Sequence, residues 1–206
     1  MEEKELQNEL ASIRSIMERS SKFISLSGLS GILAGVYALI GAGIAYSMLY
    51  SGTNRVYLKL DMGSGQGTLY ELIATASVVL VLSLITAYLL ASRQARRKNQ
   101  PMWGAVSMQL MFHMAVPLIA GGILIFILLL HHHYGIVSAS SLIFYGLALV
   151  SASNFTFADV KYLGLCEIAL GLVAACLPGY GLLFWALGFG VLHIIYGARI
   201  YLKYDK

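Results

Sequence analysis

Apolar stretches long enough to cross a bilayer recur six times along this chain, separated by short charged or glycine-rich connections. They cover about 24–50, 72–91, 102–130, 136–153, 162–177 and 182–201. A helix needs roughly twenty apolar residues to traverse the hydrocarbon core, and a helix satisfies its own backbone hydrogen bonds there. The rhythm therefore predicts an all-α, polytopic membrane bundle of six transmembrane helices. Composition points the same way: 58% of residues are hydrophobic and 12% charged, where soluble domains carry about 25% charged residues. So few charges cannot cover a water-soluble globule, and lipid is the expected solvent. A single membrane domain is expected at this length, with no second catalytic module.

Charge placement predicts the orientation. With the N-terminus inside, Lys4, Arg14, Arg19, Lys22, Arg93, Arg96, Arg97, Lys98, Lys161, Arg199, Lys203 and Lys206 all fall on the cytoplasmic side, and only Arg55 and Lys59 outside. Cytoplasmic loops retain Lys and Arg, so both termini are expected in the cytoplasm, and a bacterial inner membrane is the expected location. Topology also explains the net charge of +4 better than nucleic-acid binding does. Glu2, Glu3, Glu5 and Glu9 stand where a secretory signal would be basic, so the first span is expected to stay in the mature chain. Residues 1–22 place Leu6, Leu10, Ile13 and Met17 at helical spacing, which predicts an amphipathic cytoplasmic helix. The spanning domain is then 23–203, built of hairpins 24–91, 102–153 and 162–201, with a tail at 204–206. Alternation over 55–61 allows a short strand in the first outer loop.

Three hairpins entered from the same side suggest parallel repetition. Gly28, Gly31 and Gly35 in the first span align with Gly164, Glu167 and Gly171 in the fifth. Either a duplication or two independent uses of small residues at helix contacts gives this pattern. Ser27, Gly31 and Gly35 form a small-xxx-small stripe of the kind that lets helix backbones approach closely.

Ionisable residues within spans are costly and so are candidates for function. Glu167 lies six residues, about 9 Å, inside Lys161, and His193 lies six residues before Arg199. The turn at Gly179 and Tyr180 is their midpoint, so an antiparallel hairpin brings them to one level. Gly164 and Gly171 flank Glu167, and Gly190 and Gly197 flank His193, at spacings that share a helical face. A Glu167–His193 pair is expected there, as a proton relay or binding site or as a structural pair fixing helix register. His113, with Gln109 one turn earlier, is a further candidate at a depth the long third span leaves ambiguous. Pro117 frees the carbonyl of His113. His131, His132 and His133 are weak metal candidates at an outer turn, because neighbours on a helix point in different directions. Cys166 and Cys176 are too far apart on one helix, about 15 Å along its axis, to bridge each other.

Three functions fit these residues. The first is transport of a small solute, linked to protons through the Glu–His pair. The second is a non-transport accessory or stress-response role acting through packing. The third is electron transfer through a b-type haem held by His113 and His193, the only intramembrane histidines. No nucleophile–base pair, HExxH or aspartate-rich metal motif argues for an enzyme. A homo-oligomer is compatible with the sequence. Residues 21–35 and 179–197 resemble an uncharacterised bacterial family of six-span proteins, a resemblance that implies the fold and brings no activity. The three-hairpin plan is similar, in topology alone, to the small acid-resistance membrane proteins.

Overall fold

The structure, a computed structural model, describes residues 27–50, 66–97 and 103–205. Within them the chain is helical, with no strand. The elements are α1 (Gly28–Tyr50), α2 (Gln66–Arg97), α3 (Ala105–Leu130), α4 (Val137–Ala152, entered through a tight 3-10 turn at Tyr134–Ile136), α5 (Asp159–Cys176) and a composite α6. α6 begins as Gly181–Trp185, widens into a π-helical stretch at Ala186–Leu192, continues as His193–Ile200 and ends in a second wide turn at Tyr201–Asp205. The expected helix at 1–22 and strand at 55–61 lie outside the described residues.

Among the described residues, five segments are long and apolar enough to cross a membrane: Gly28–Leu49, Gly67–Arg97, Ala105–Leu130, Tyr134–Ala152 and Gly181–Tyr204. α5 has 18 residues and carries Asp159, Lys161 and Glu167. It lies against α4 and α6, where protein rather than lipid surrounds its acid. The chain is an α-helical protein of membrane-embedded type.

The helices form an open row. α1 packs on α2 and α6, α6 on α4 and α5, α5 on α4, and α4 on α3. Leu149, Phe157, Val160, Leu163 and Ile200 make an apolar cluster where α4, α5 and α6 meet near the α4–α5 connection. α2 and α3 sit at the two ends of the row.

Glycines hold this row together in two equivalent seams. A methyl group built at Gly35 on α1 would lie 2.6 Å from the carbonyl oxygen of Gly190 and 2.7 Å from Ile194 Cγ1 on α6. One built at Gly171 on α5 would lie 3.0 Å from the carbonyl oxygen of Ala139 and 2.6 Å from Ile143 Cγ1 on α4. At Gly197 the nearest atoms are Ile32 N and Gly28 O; at Gly146 they include Gly164 O and Ile168 N. One offset relates α1 to α5 (28 to 164, 32 to 168, 35 to 171), and another relates α6 to α4 (190 to 139, 194 to 143, 197 to 146). The α1–α6 and α4–α5 seams are thus the same contact made twice, as a duplicated hairpin would make it. Ile143-Phe144-Tyr145-Gly146 and Ile194-Ile195-Tyr196-Gly197 are the sequence trace of that equivalence.

Candidate functional site

Glu167 projects from the middle of α5 and is wholly buried. His193 is 7% exposed on α6, immediately after the π-helical stretch. The structure brings the two together: His193 Nδ1 lies 3.4 Å from Glu167 Oε1. The stronger bonds of the imidazole go elsewhere. Nδ1 is 3.0 Å from the carbonyl oxygen of Gly188, and a carbonyl can only accept, so the Nδ1 proton points there. Nε2 is 2.8 Å from the hydroxyl of Tyr145 on α4, which donates to it when the ring is neutral. Three helices therefore converge on one imidazole.

Widening of α6 builds this arrangement. Stretches of π-helix are rare and concentrate at functional positions. Here the wide turn presents the Gly188 carbonyl to the His193 ring and the Gly188 α-carbon to Glu167. A side chain at Gly188 would run into Glu167 Oε2 and Leu142, so only glycine lets α6 approach the acid this closely. Phe189 completes the wall, with ring centroids 5.0 Å from Tyr145 and 5.9 Å from His193.

Neither carboxyl oxygen of Glu167 has a hydrogen-bond partner among the described residues. Nearly all buried polar groups in native proteins are bonded, and an ion left unbonded in the interior carries a penalty of several kcal/mol. An acid in this position can exchange a proton with its surroundings or accept a ligand.

The flanking glycines pack in a different direction from the one their spacing suggests. Gly164 and Gly171 face α4, while Gly190 and Gly197 face α1. The contact between acid and imidazole is lined instead by Gly188. A five-residue turn in the π-helical stretch changes the helical phase, which a constant 3.6-residue spacing does not anticipate.

His113 and Gln109 do not join this centre. Both are exposed on α3. The His113 ring lies 4.8 Å from that of Phe155, which places it near the α4–α5 connection rather than in mid-bundle. His113 and His193 thus do not face each other, and both ring nitrogens of His193 are already engaged. These residues do not fit an axial pair for haem. His131, His132 and His133 are exposed, and His132 Nδ1 bonds the Tyr134 hydroxyl at 2.7 Å. Among the described residues no group of three or more His, Cys, Asp or Glu side chains gathers to hold a metal ion. Cys166 Sγ lies 3.8 Å from the Tyr196 hydroxyl, and Cys176 is exposed.

Two features escaped the reading of the sequence. Tyr145 is the first. A tyrosine in mid-span, away from the interfacial aromatic belt, needs a partner for its hydroxyl, and that signal was present. Replacing Tyr145 with phenylalanine is expected to leave His193 Nε2 unpaired and to lower stability by about 1–2 kcal/mol. Melting of purified protein in one detergent, for parent and variant, measures this.

The second feature is a clamp at the start of α5. Asp159 is 3% exposed. Its carboxylate accepts from Arg199 Nε at 2.9 Å, Lys203 Nζ at 3.0 Å and the Tyr204 hydroxyl at 3.0 Å. Burial pushes the Asp159 carboxyl up, but the bonds from Lys203 and Tyr204 and the charges of Lys203 and Arg199 outweigh it and hold it below its ordinary value of 3.8. The folded state therefore binds this proton less tightly than the unfolded chain. Stability from the clamp is complete above the ordinary value and fades as pH falls through the lower folded one. The difference in melting temperature between parent and Asp159→Asn is expected to be constant near neutral pH and to shrink in acid below 3.8.

Compared with known proteins, the chain matches no family model, no curated protein and no solved structure.

Proposed function

We propose that this chain is a six-span protein of the bacterial cytoplasmic membrane, with both termini inside, that takes up and releases a proton at Glu167 and His193 and couples it to movement of a small solute. The observation that carries the reading is the buried Glu167 carboxyl, without a hydrogen-bond partner among the described residues and 3.4 Å from an imidazole. With the ring neutral and bonded to Tyr145 and Gly188, the ionised acid leaves the pair with one net negative charge; a proton taken by the acid, or by the ring 3.4 Å away, removes that charge. One proton gained or lost changes the charge of the bundle interior, which is the event a coupled carrier needs.

The repeated seam supports this over a structural role. Gly31 occupies the place of Glu167 in the α1–α6 seam, and Leu142 on α4 is the counterpart of His193. The seam that carries glycine at this position still brings backbones into contact, so close packing does not require an acid. The pair stands where the internal repetition is broken.

The test uses purified protein in liposomes with an entrapped pH-sensitive dye and an imposed pH gradient. A panel of small organic acids, amines and monovalent cations is added outside. The expected result is a solute-dependent pH change with the parent protein and none with Glu167→Gln. A parent protein that moves no protons with any of them, while Glu167→Gln behaves identically, favours the accessory role. Orientation is tested separately: a reporter active only in the cytoplasm, fused after residue 206, is expected to be active.

A further inference from the structure

The two equivalent seams imply a third. In each, the first helix of one hairpin packs its small-residue face on the second helix of another: α1 on α6, and α5 on α4. Three hairpins arranged this way leave one such pair, α3 on α2. That seam is not made within the chain, where α2 and α3 show no comparable packing among the described residues. The consequence appears in burial. None of the most apolar window of α2 is buried and only 6% of that of α3, against 33% for α1 and 39% for α4. Gly122 on α3 reports the same vacancy, since a methyl group added there meets nothing within 4 Å.

We propose that a second copy of this chain fills both open edges, α3 of each copy packing on α2 of the other. The chain displays the two halves of one repeated contact at opposite ends of its row of helices. Two different faces that fit each other head to tail build a closed ring when the rotation between copies closes, and two copies make the smallest such ring. A two-fold axis along the membrane normal leaves helix directions unchanged. α2 of one copy and α3 of the other therefore run antiparallel, as α1 and α6 do and as α4 and α5 do. In this assembly α2 keeps α1 and α3 keeps α4 as its neighbour, and the ring of hairpins is closed by the second copy. Closing it within one chain would require α2 or α3 to leave its present neighbour. In lipid the drive is close packing rather than exclusion of water, and small residues on the exposed faces, Gly122 on α3 with Ala76 and Ser77 on α2, suit that.

The interface is independent of the proton site and is tested without any transport assay. The mass of the parent protein in detergent and in lipid discs, measured by light scattering, is expected to be twice 22.4 kDa. Contact is then mapped in a background lacking Cys166 and Cys176. Ile85 and Val116 are 51% and 55% exposed and lie at similar depths from the connection between α2 and α3. Chains carrying Ile85→Cys alone are co-expressed with chains carrying Val116→Cys alone, and oxidised in the membrane. A mixed disulfide dimer is expected, and Tyr88→Cys with Phe112→Cys is expected to repeat it. Both substitution sites face away from the row, so each variant should melt like its background, and that is checked first. A parent protein that is monomeric in lipid overturns the proposal. So does a disulfide that forms only when both cysteines are on one chain and leaves its mass unchanged, which would mean the ring closes on itself.

Discussion

Replacing Gly197 with alanine is expected to destabilise the bundle by about 2–3 kcal/mol, near the upper end for overpacking, and Gly146→Ala should match it. The added methyl at Gly197 would sit 2.6 Å from Ile32 N, 2.8 Å from Gly28 O and 2.9 Å from Gly31 C. All three are backbone atoms and cannot rotate away, so α1 must separate from α6 along the whole seam. At Gly146 the neighbours include Gly164 O at 2.6 Å and Ile168 N at 2.9 Å. Similar penalties at two sites in different helices follow from their equivalent places in the two seams. Gly43→Ala on α1 is the control, because a methyl there meets nothing within 4 Å and α1 takes no part in the proposed contact between copies, and its effect should stay within about 0.5 kcal/mol. Melting of the three variants in one detergent measures all of this. Gly197→Ala melting with the parent would remove the seam as the element that holds α1 in place.

Glu167→Gln is expected to abolish proton exchange while leaving stability unchanged or raised. The amide has nearly the shape of the acid and no charge to desolvate, and replacing buried ions by neutral groups of similar volume is often neutral or stabilising. Glu167→Ala differs, because the site is wholly buried. It leaves a cavity, for which a loss of about 2–4 kcal/mol is expected. The two variants separate chemistry from packing. An acid retained for structure would make Glu167→Gln the damaging change; an acid retained for its proton makes it a stable, inactive protein. Stability gained at the expense of function is a common mark of a working site.

Much of this was legible in the residues. The apolar runs located the membrane-length helices, because lipid enforces length and composition more strictly than water does. Glu167 and His193 could be brought to one level by counting outward from Gly179 and Tyr180, since an antiparallel hairpin keeps depth. What failed was rotation about the helix axis. Gly190 and Gly197 turn to α1 and Gly188 turns to the acid, and the wide turn at Ala186–Leu192 breaks the 3.6-residue period on which that reading relied. The partner helix was also hidden: the acid's glycines serve α4, three elements being needed where a hairpin supplies two. Tyr145 went unnoticed because a tyrosine in an apolar span reads as bulk until its hydroxyl is asked for a partner. Nothing in the local sequence singles out Asp159, since its partners Arg199, Lys203 and Tyr204 are forty or more positions away.

The central claim is that the Glu167 carboxyl carries an exchangeable proton in a dry interior. Infrared difference spectroscopy of the purified protein in lipid, taken as the buffer pH is stepped, reads this directly. The predicted result is a carboxylic-acid carbonyl band, shifted as in an apolar site, that appears and disappears with pH and is missing from folded Glu167→Gln. A spectrum in which parent and Glu167→Gln are indistinguishable at every pH would contradict the claim and leave Glu167 as a group that never changes its charge.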